Sequence, residues 1–324
     1  MLTKLMDGQD AVKLGAQIIK EGGVVAFPTE TVYGLGANAL DSTAVNKIFI
    51  AKGRPADNPL IVHIADIKEI EKITEEISPE GYKLARAFMP GPITLIFKKK
   101  SLIPDIVTAG LSTVAIRMPS HPVARDLILA AGLPIAAPSA NISTHVSPTC
   151  ASHVMDDMEG RIPLIIDGGE SEVGIESTVI DVSSDNVRIL RPGAVTKDMV
   201  EKVIGKTVGT KYAAEVAPEA PGMKYRHYAP GVPVEILPPE DIKIKYDELL
   251  KQKIRPVILT LKVEFYGARN LMSLGENTKD AARALFKALR EGEKNYDYIL
   301  SEDFSDGGGI GSSLMNRLNK AAKK

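Results

Sequence analysis

Apolar positions change period several times along the chain, and each change predicts an element. Over residues 10–21 (DAVKLGAQIIKE) they recur at helical spacing and Gly22-Gly23 closes the run, the pattern of an amphipathic helix. Val24 to Phe27 follow as a short buried strand that runs into the polar stretch Pro28-Thr29-Glu30-Thr31-Val32-Tyr33-Gly34-Leu35-Gly36. Ala44, Val45, Ile48 and Phe49 mark a second amphipathic segment, and Leu60 to Ile64 a strand. Helices are expected over Ile67 to Thr74, Pro79 to Phe88, Pro122 to Ala131, and Ser147 to Glu159 with Pro148 in its first turn. Strands are expected at Ile93 to Phe97, Thr113 to Met118, Ile135 to Ala137, Leu164 to Asp167, Ser177 to Val182 and Val187 to Leu190. Strands alternating with helices argue for one α/β sheet domain over residues 1–205.

Around residues 206–231 the period is lost, and the stretch is rich in Pro, Gly, Ala and Tyr. By composition it is a linker, yet Lys224, Arg226 and His227 crowd against Tyr225 and Tyr228, where a passive tether would be Gly/Ser-rich or acidic. It is therefore expected to touch the active site. Beyond it, strands at Val232 to Leu237, Pro256 to Leu261 and Tyr298 to Leu300, with helices at Thr278 to Glu291 and Ser312 to Lys323, predict a small doubly wound α/β domain over 232–324.

Composition narrows the function classes. At 324 residues, the chain can bury two cores. A formal net charge of −1 gives no global electrostatic case for nucleic acid, and zero Trp weakens a base-stacking platform. One cysteine, Cys150, excludes an internal disulfide. The N-terminus lacks the apolar core of a signal peptide and no stretch approaches a membrane span, so a cytoplasmic protein is expected.

Candidate chemistry gathers at Lys52-Gly53-Arg54-Pro55-Ala56-Asp57-Asn58-Pro59-Leu60-Ile61-Val62-His63. Two prolines stiffen a helix-to-strand connection carrying a point charge and a planar fork, a pairing suited to phosphate or carboxylate oxygens. Lys52→Ala or Arg54→Ala is expected to remove activity and leave the fold intact. Other polar residues fall at strand ends, where open α/β sheets bind ligands: Thr29, Thr31 and Tyr33; Ser139 and Asn141, followed by Ser147 at a helix start; Gly168-Gly169 to Ser177; and Arg191. Ser147 reads equally as an anion site or as an ordinary N-cap. Arg117 interrupts a run that otherwise reads as buried and must be paired, with a substrate anion or a structural carboxylate. Gly205-Lys206-Thr207 lacks the first glycine of a P-loop, and His145, Cys150 and His153 lack zinc-ligand spacing. No covalent nucleophile emerges.

The motifs KGRPADNPLIVH, PTETVYGLGANA, PSANIS with SPT, GIESTVID and ILRPG, in this order, resemble the threonylcarbamoyl-AMP synthase family with its YrdC-like fold. APGMKYRHYAP and the C-terminal GIGSSLMNRLNKAA resemble its long, two-domain form. The resemblance implies an N-terminal twisted open α/β sheet domain with a concave anion-binding cleft, and a smaller Rossmann-like C-terminal domain. It implies synthesis of threonylcarbamoyl-adenylate and pyrophosphate from L-threonine, bicarbonate and ATP, for modification of the tRNA adenosine beside the anticodon. Lys52, Arg54, Ser139 and Asn141 would be catalytic. Thr31, His63, Arg117, Ala137 and Ser177 would hold threonine. Arg54, Asn58, Thr113, Ser139, Ser147, Arg191, Tyr225, His227 and Tyr228 would hold the nucleotide, the last three closing over it. Mg2+ is expected on the phosphates, the tRNA threonylcarbamoyl transferase machinery as downstream partner, and RNA binding as at most weak. Carbamoyl transfer of the hydrogenase-maturation type and a non-enzymatic RNA-binding module are the competing readings. Thr144 stands where the family often has glycine; a β-branched residue resists φ > 0, so the turn there is expected to differ.

Overall fold

The computed structural model describes residues 2–210, 228–305 and 308–322; Tyr225, His227 and most of the 206–231 linker lie outside them. The described residues form two compact units. Residues 2–143, 148–172 and 176–210 make the first; 144–147 and 173–175 fold instead with the described part of 228–322.

The first unit runs β1 (Lys4–Asp7), α1 (Gly8–Lys20), β2 (Val25–Phe27), β3 (Gly34–Asn38), α2 (Ser42–Lys52), β4 (Ile61–His63), α3 (Glu69–Ile73), α4 (Pro79–Phe88), β5 (Ile93–Lys98), α5 (Asp105–Thr108), β6 (Thr113–Arg117), α6 (Pro122–Ala131), β7 (Ile135–Ala137), α7 (Ala151–Met158), β8 (Leu164–Asp167), β9 (Thr178–Asp181), β10 (Arg188–Arg191), α8 (Lys197–Ile204) and β11 (Gly209–Thr210). Its strands form one mixed sheet in the order β1-β8-β2-β3-β7-β4-β6-β5-β9-β10-β11.

Alternation along the central strands decides which side chains face which way. Val62 of β4, Val114 and Ile116 of β6, and Ile93, Leu95 and Phe97 of β5 enter the main core with Ile48 and Phe49 of α2 and Leu84 of α4. Each such fully buried side chain contributes about 1.5–3 kcal/mol. Ile61, Ile96 and Ala115, on the opposite parity, join Val179 and Leu190 in a small separate cluster. His63, Thr113, Arg117 and Thr94 share that parity. On β4, β6, β5 and β9 that face thus carries a small apolar floor with polar residues along it, whereas on β2, β7 and β8 it is packed by α1 and α6 in a second apolar cluster.

The helix expected to start at Ser147 begins at Ala151, with Cys150 at the N-cap position. The carbonyls ahead of it are committed elsewhere, Pro148 O to Tyr33 N at 2.9 Å and Thr149 O to Ser171 N at 2.8 Å. Ser147 therefore stands ahead of the helix and is not its N-cap. Lys52 is the last residue of its helix rather than a loop residue, and Gly53 (φ 60°) caps that helix in the left-handed conformation. Thr144 adopts φ 78° despite its branched side chain, so the left-handed conformation that suits glycine is kept there rather than altered.

The second unit runs β12 (Val234–Leu237), α9 (Pro239–Lys251), β13 (Pro256–Thr260), β14 (Leu271–Ser273), α10 (Thr278–Asn295), β15 (Tyr298–Glu302) and α11 (Gly308–Ala322). Its four strands are all parallel in the order β12-β15-β13-β14. Ile242, Tyr246 and Leu249 of α9 pack on Ile258 and Leu300. Arg290 of α10 donates to the carbonyl of Val146 at 2.5 Å, which ties the 144–147 stretch into this unit.

Candidate active site

Three polar loops of the first unit are hydrogen-bonded into one assembly. Gly34 and Ser139 form an isolated antiparallel bridge. Ala140 N donates to Tyr33 O at 2.8 Å, joining the loop after β7 to the loop after β2. Tyr33 does not present its hydroxyl to a ligand: the ring is fully buried and its oxygen lies 2.8 Å from Gly169 O, 3.2 Å from Asp167 Oδ1 and 3.1 Å from Gly168 N. Burial raises its pKa above that of ordinary tyrosine. The tyrosine is a buttress. Thr29 and Thr31 face one another, their hydroxyls 2.9 Å apart.

Lys52 holds the middle of this assembly. Its ammonium donates to the carbonyl of Ser139, to Asn141 O at 2.6 Å and, weakly, to Asn141 Oδ1 at 3.4 Å. Ser139 Oγ lies 2.5 Å from the same Oδ1, and Asp157 of α7 accepts from Ile142 N at 3.3 Å. Lys52 is 2% exposed, which corrects the expectation that its removal leaves the core undisturbed. Burial, then the Arg54 charge, lowers its pKa well below the usual lysine value, and Asp157 opposes them. Three oxygen acceptors nevertheless call for the protonated form, since a neutral amine has only two N–H groups. Arg54, half-buried, donates to Asn58 O at 2.9 Å and lies over the Phe49 ring at 6.0 Å. Asn58 is fully buried, and neither its amide nitrogen nor its amide oxygen has a hydrogen-bond partner.

Parallel pairing of β4 with β6 sets His63 beside Arg117 at their C-terminal ends. His63 is 3% exposed, with Nδ1 3.2 Å from Ile61 O and its ring edge-on to Phe27 at 5.9 Å. Burial, then the Arg117 charge, pushes its pKa down to about 3, so the imidazole is neutral. Arg117 is paired with a residue the sequence did not single out for it. Glu30 Oε1 lies 2.7 Å from Arg117 Nη2, which also donates to Thr29 Oγ1 at 3.3 Å. The pairing spans 87 residues and follows no local periodicity, so nothing in the pattern announces it.

Ser177 and Arg191, assigned separately to threonine and nucleotide, are brought into direct contact. Arg191 Nε donates to Ser177 O and Nη2 to Ser177 Oγ, both at 3.0 Å, and that hydroxyl lies 2.7 Å from Thr94 Oγ1. A register shift between Ile189 and Arg191 supplies the re-aiming a straight strand would not allow. Ala137 pairs with Ile61 at the start of β4. Thr113 begins β6, at the opposite end of the strand from Arg117. Ser147 and Tyr228 belong to the second unit, where Tyr228 stacks on Phe286 at 5.1 Å.

Among the described residues no three His, Cys, Asp or Glu side chains converge as ligands for a metal ion. His145 is exposed, and His153 Nδ1 accepts from Thr149 N at 3.3 Å. The donor set does not fit a protein-held Mg2+ cage, and a cation carried on phosphates would rely on oxygen atoms of its own carrier. No helix among the described residues is long and apolar enough to cross a membrane.

Two family models match the chain, one described as telomere recombination over residues 17–193 and one as threonylcarbamoyl-AMP synthase, C-terminal domain, over 195–323. Threonylcarbamoyl-AMP synthase of Pyrococcus abyssi is 47% identical over 96% of this chain and 94% of its own length. That of Bacillus subtilis is 46% identical over 98% and 95%. The chain belongs to the threonylcarbamoyl-AMP synthase family. The crystal structure of P. abyssi Sua5 complexed with L-threonine matches it with a TM-score of 0.92 at 43% identity, covering 99% of this chain and 98% of the other. The family is an enzyme family of the nucleotidyltransferase type in its two-domain form, and the mixed α/β first unit is of the YrdC-like kind.

Proposed function

We propose that this member of the family condenses L-threonine, bicarbonate and ATP to threonylcarbamoyl-AMP and pyrophosphate. The threonine amine attacks the carbon of bicarbonate or its carbon dioxide, with loss of water overall, and the carbamate oxygen attacks the α-phosphorus, releasing pyrophosphate. Both nucleophiles belong to the substrates, so the chain chiefly positions anions and offsets their charge. The observation that carries the reading is a set of buried polar atoms lacking hydrogen-bond partners: both amide atoms of Asn58 and Nε of Arg117. Buried polar atoms are normally satisfied, and those of Asn58 and Arg117 at this site call for a polar ligand.

Arg117 would hold the threonine carboxylate through its Nε edge. Neutral His63, Thr31 and the Ser177 hydroxyl would receive the rest of the amino acid above Ala137. Asn58, Arg54, Thr113, Arg191 and the Ser139–Asn141 loop would line the nucleotide. Lys52 would act through that loop, adding its charge beneath it. Mg2+ would arrive with ATP and offset phosphate charge. The L-threonine in the P. abyssi structure supports the choice of amino acid. The product would pass to a transferase acting on the tRNA adenosine beside the anticodon, in the cytoplasm.

The test is pyrophosphate release with threonine or bicarbonate omitted, or threonine exchanged for serine. Release that requires ATP, bicarbonate and threonine together supports the reading. Release at an unchanged rate without threonine refutes it.

A further inference from the structure

The Glu30–Arg117 pair has unspent capacity on both members. Glu30 is 3% exposed and Arg117 is 4% exposed. Glu30 Oε2 accepts from Ser120 N at 3.2 Å, whereas Oε1, though 2.7 Å from the guanidinium, makes no well-aligned hydrogen bond. Arg117 Nη2 is engaged by Glu30 and Thr29, whereas Nε is buried with no partner. An unspent acceptor on a buried anion therefore lies beside an unspent donor on a buried cation. Because the pair is neutral, it offers little to a simple anion, which would meet the guanidinium already half-neutralised. It suits a ligand whose two opposite charges lie one carbon apart.

We infer that Glu30 is a specificity residue, whose Oε1, held to Arg117 by charge but by no aligned hydrogen bond, receives the ammonium of the amino-acid substrate while Arg117 receives its carboxylate. This rests on the reading of Arg117 given above. The arrangement selects an α-amino acid zwitterion over the hydroxy acid of the same skeleton, since that acid would leave Glu30 Oε1 unanswered. It also explains why the cation of the site carries a buried carboxylate partner at all. A lone buried arginine would bind any small anion, bicarbonate included, and the ion pair withholds that affinity from ligands lacking a positive group. A hydrogen bond to a charged group at such a site changes affinity roughly 10- to 100-fold.

The experiment is calorimetric titration of the full chain, wild type, Glu30→Gln and Arg117→Gln, with threonine, 3-hydroxybutanoate (no ammonium) and 1-aminopropan-2-ol (no carboxylate). Wild-type protein is expected to prefer threonine over 3-hydroxybutanoate by roughly 10-fold or more. Glu30→Gln is expected to lose that preference, with affinity for the hydroxy acid raised because the guanidinium is no longer half-neutralised. A wild-type protein that binds both equally overturns the inference without recourse to any variant. So does a folded Glu30→Gln that weakens on both ligands by the same factor, the mark of a residue that only positions Arg117. Arg117→Gln separates the two readings. If it leaves threonine affinity unchanged, the carboxylate reading of Arg117 fails and this inference with it. If it weakens threonine but not 1-aminopropan-2-ol while Glu30→Gln retains the preference, the carboxylate reading stands and the role given to Glu30 fails.

Discussion

Replacing Lys52 by methionine keeps the stem and removes the ammonium. Two carbonyls, Ser139 O and Asn141 O, then lose a charged donor, and Asn141 Oδ1 loses a weaker one. Each buried acceptor left without a partner costs about 1–3 kcal/mol, and some of it is recovered by local movement. A loss of about 2–4 kcal/mol is expected, all of it in the first unit. At about 2–4 °C per kcal/mol for a domain of this size, the midpoint of that unit falls by roughly 4–16 °C. Arg54→Ala supplies the contrast, because its guanidinium is half-buried and donates to the carbonyls of Asn58 and Pro59. It is expected to cost under about 1.5 kcal/mol and still to lose most pyrophosphate release. The assay is differential scanning calorimetry in parallel with pyrophosphate release. A Lys52→Met protein that melts with the wild type while losing activity would refute the reasoning, making Lys52 a substrate-contacting cation rather than the post of the 139–141 loop.

Three further outcomes are expected. His63 has a folded pKa of about 3, lowered by burial, against about 6.5 unfolded, so its contribution to stability is complete above pH 6.5 and falls as the unfolded chain takes up the proton below it. Denaturation midpoints should drop by an equivalent of about 2 kcal/mol from pH 6.5 to 5, and His63→Gln should flatten that part of the profile; an unchanged slope would contradict a buried neutral imidazole. Gly193→Ala would place a methyl 2.4 Å from Thr178 N, next to Ser177, so a loss of about 1–3 kcal/mol with reduced turnover is expected by urea titration and kinetics. Thr144→Gly relieves a branched residue at φ 78° and should raise the urea midpoint by the equivalent of about 0.5–1 kcal/mol; a lower midpoint would show that the threonine side chain earns its strained backbone.

What the sequence made legible follows from where periodicity is strong. The central strands from Leu60 to Leu190 and helices such as Pro122–Ala131 are buried on one or both faces, and their apolar spacing says so. β1 escapes notice because it lies at the sheet edge with mostly exposed side chains. β3 reads as a loop because Gly34–Asn38 is built of small residues and lacks the β-branched run of a strand. α8 buries only Val200 and Ile204, too few apolar positions to set a period, and Gly205, which resembles part of a spoiled P-loop, is its left-handed cap. α9 carries Ile242, Tyr246 and Leu249 at helical spacing, a signal that was there to be read.

The site shows the same division. Strand ends locate Arg117, His63, Ser177 and Arg191, because alternation fixes the face and the turn fixes the end. Partners do not follow from such rules. Glu30 against Arg117, Thr94 against Ser177 and the carbonyls of Ser139 and Asn141 around Lys52 are all distant in sequence, and only the fold brings them together. The consequence is largest for Lys52, which looked like a loop cation free to meet substrate and is instead the most deeply enclosed charge of the assembly.

The site is tested most directly by a crystal structure of the full chain with L-threonine and a non-hydrolysable ATP analogue, read for the surroundings of the two ligands. A threonine carboxylate is expected within hydrogen-bonding distance of Arg117 Nε, and the nucleotide along Arg54, Asn58 and the Ser139–Asn141 loop with the Asn58 amide engaged. Ligands bound away from these atoms, with the Asn58 amide and Arg117 Nε still unpaired, would contradict this placement.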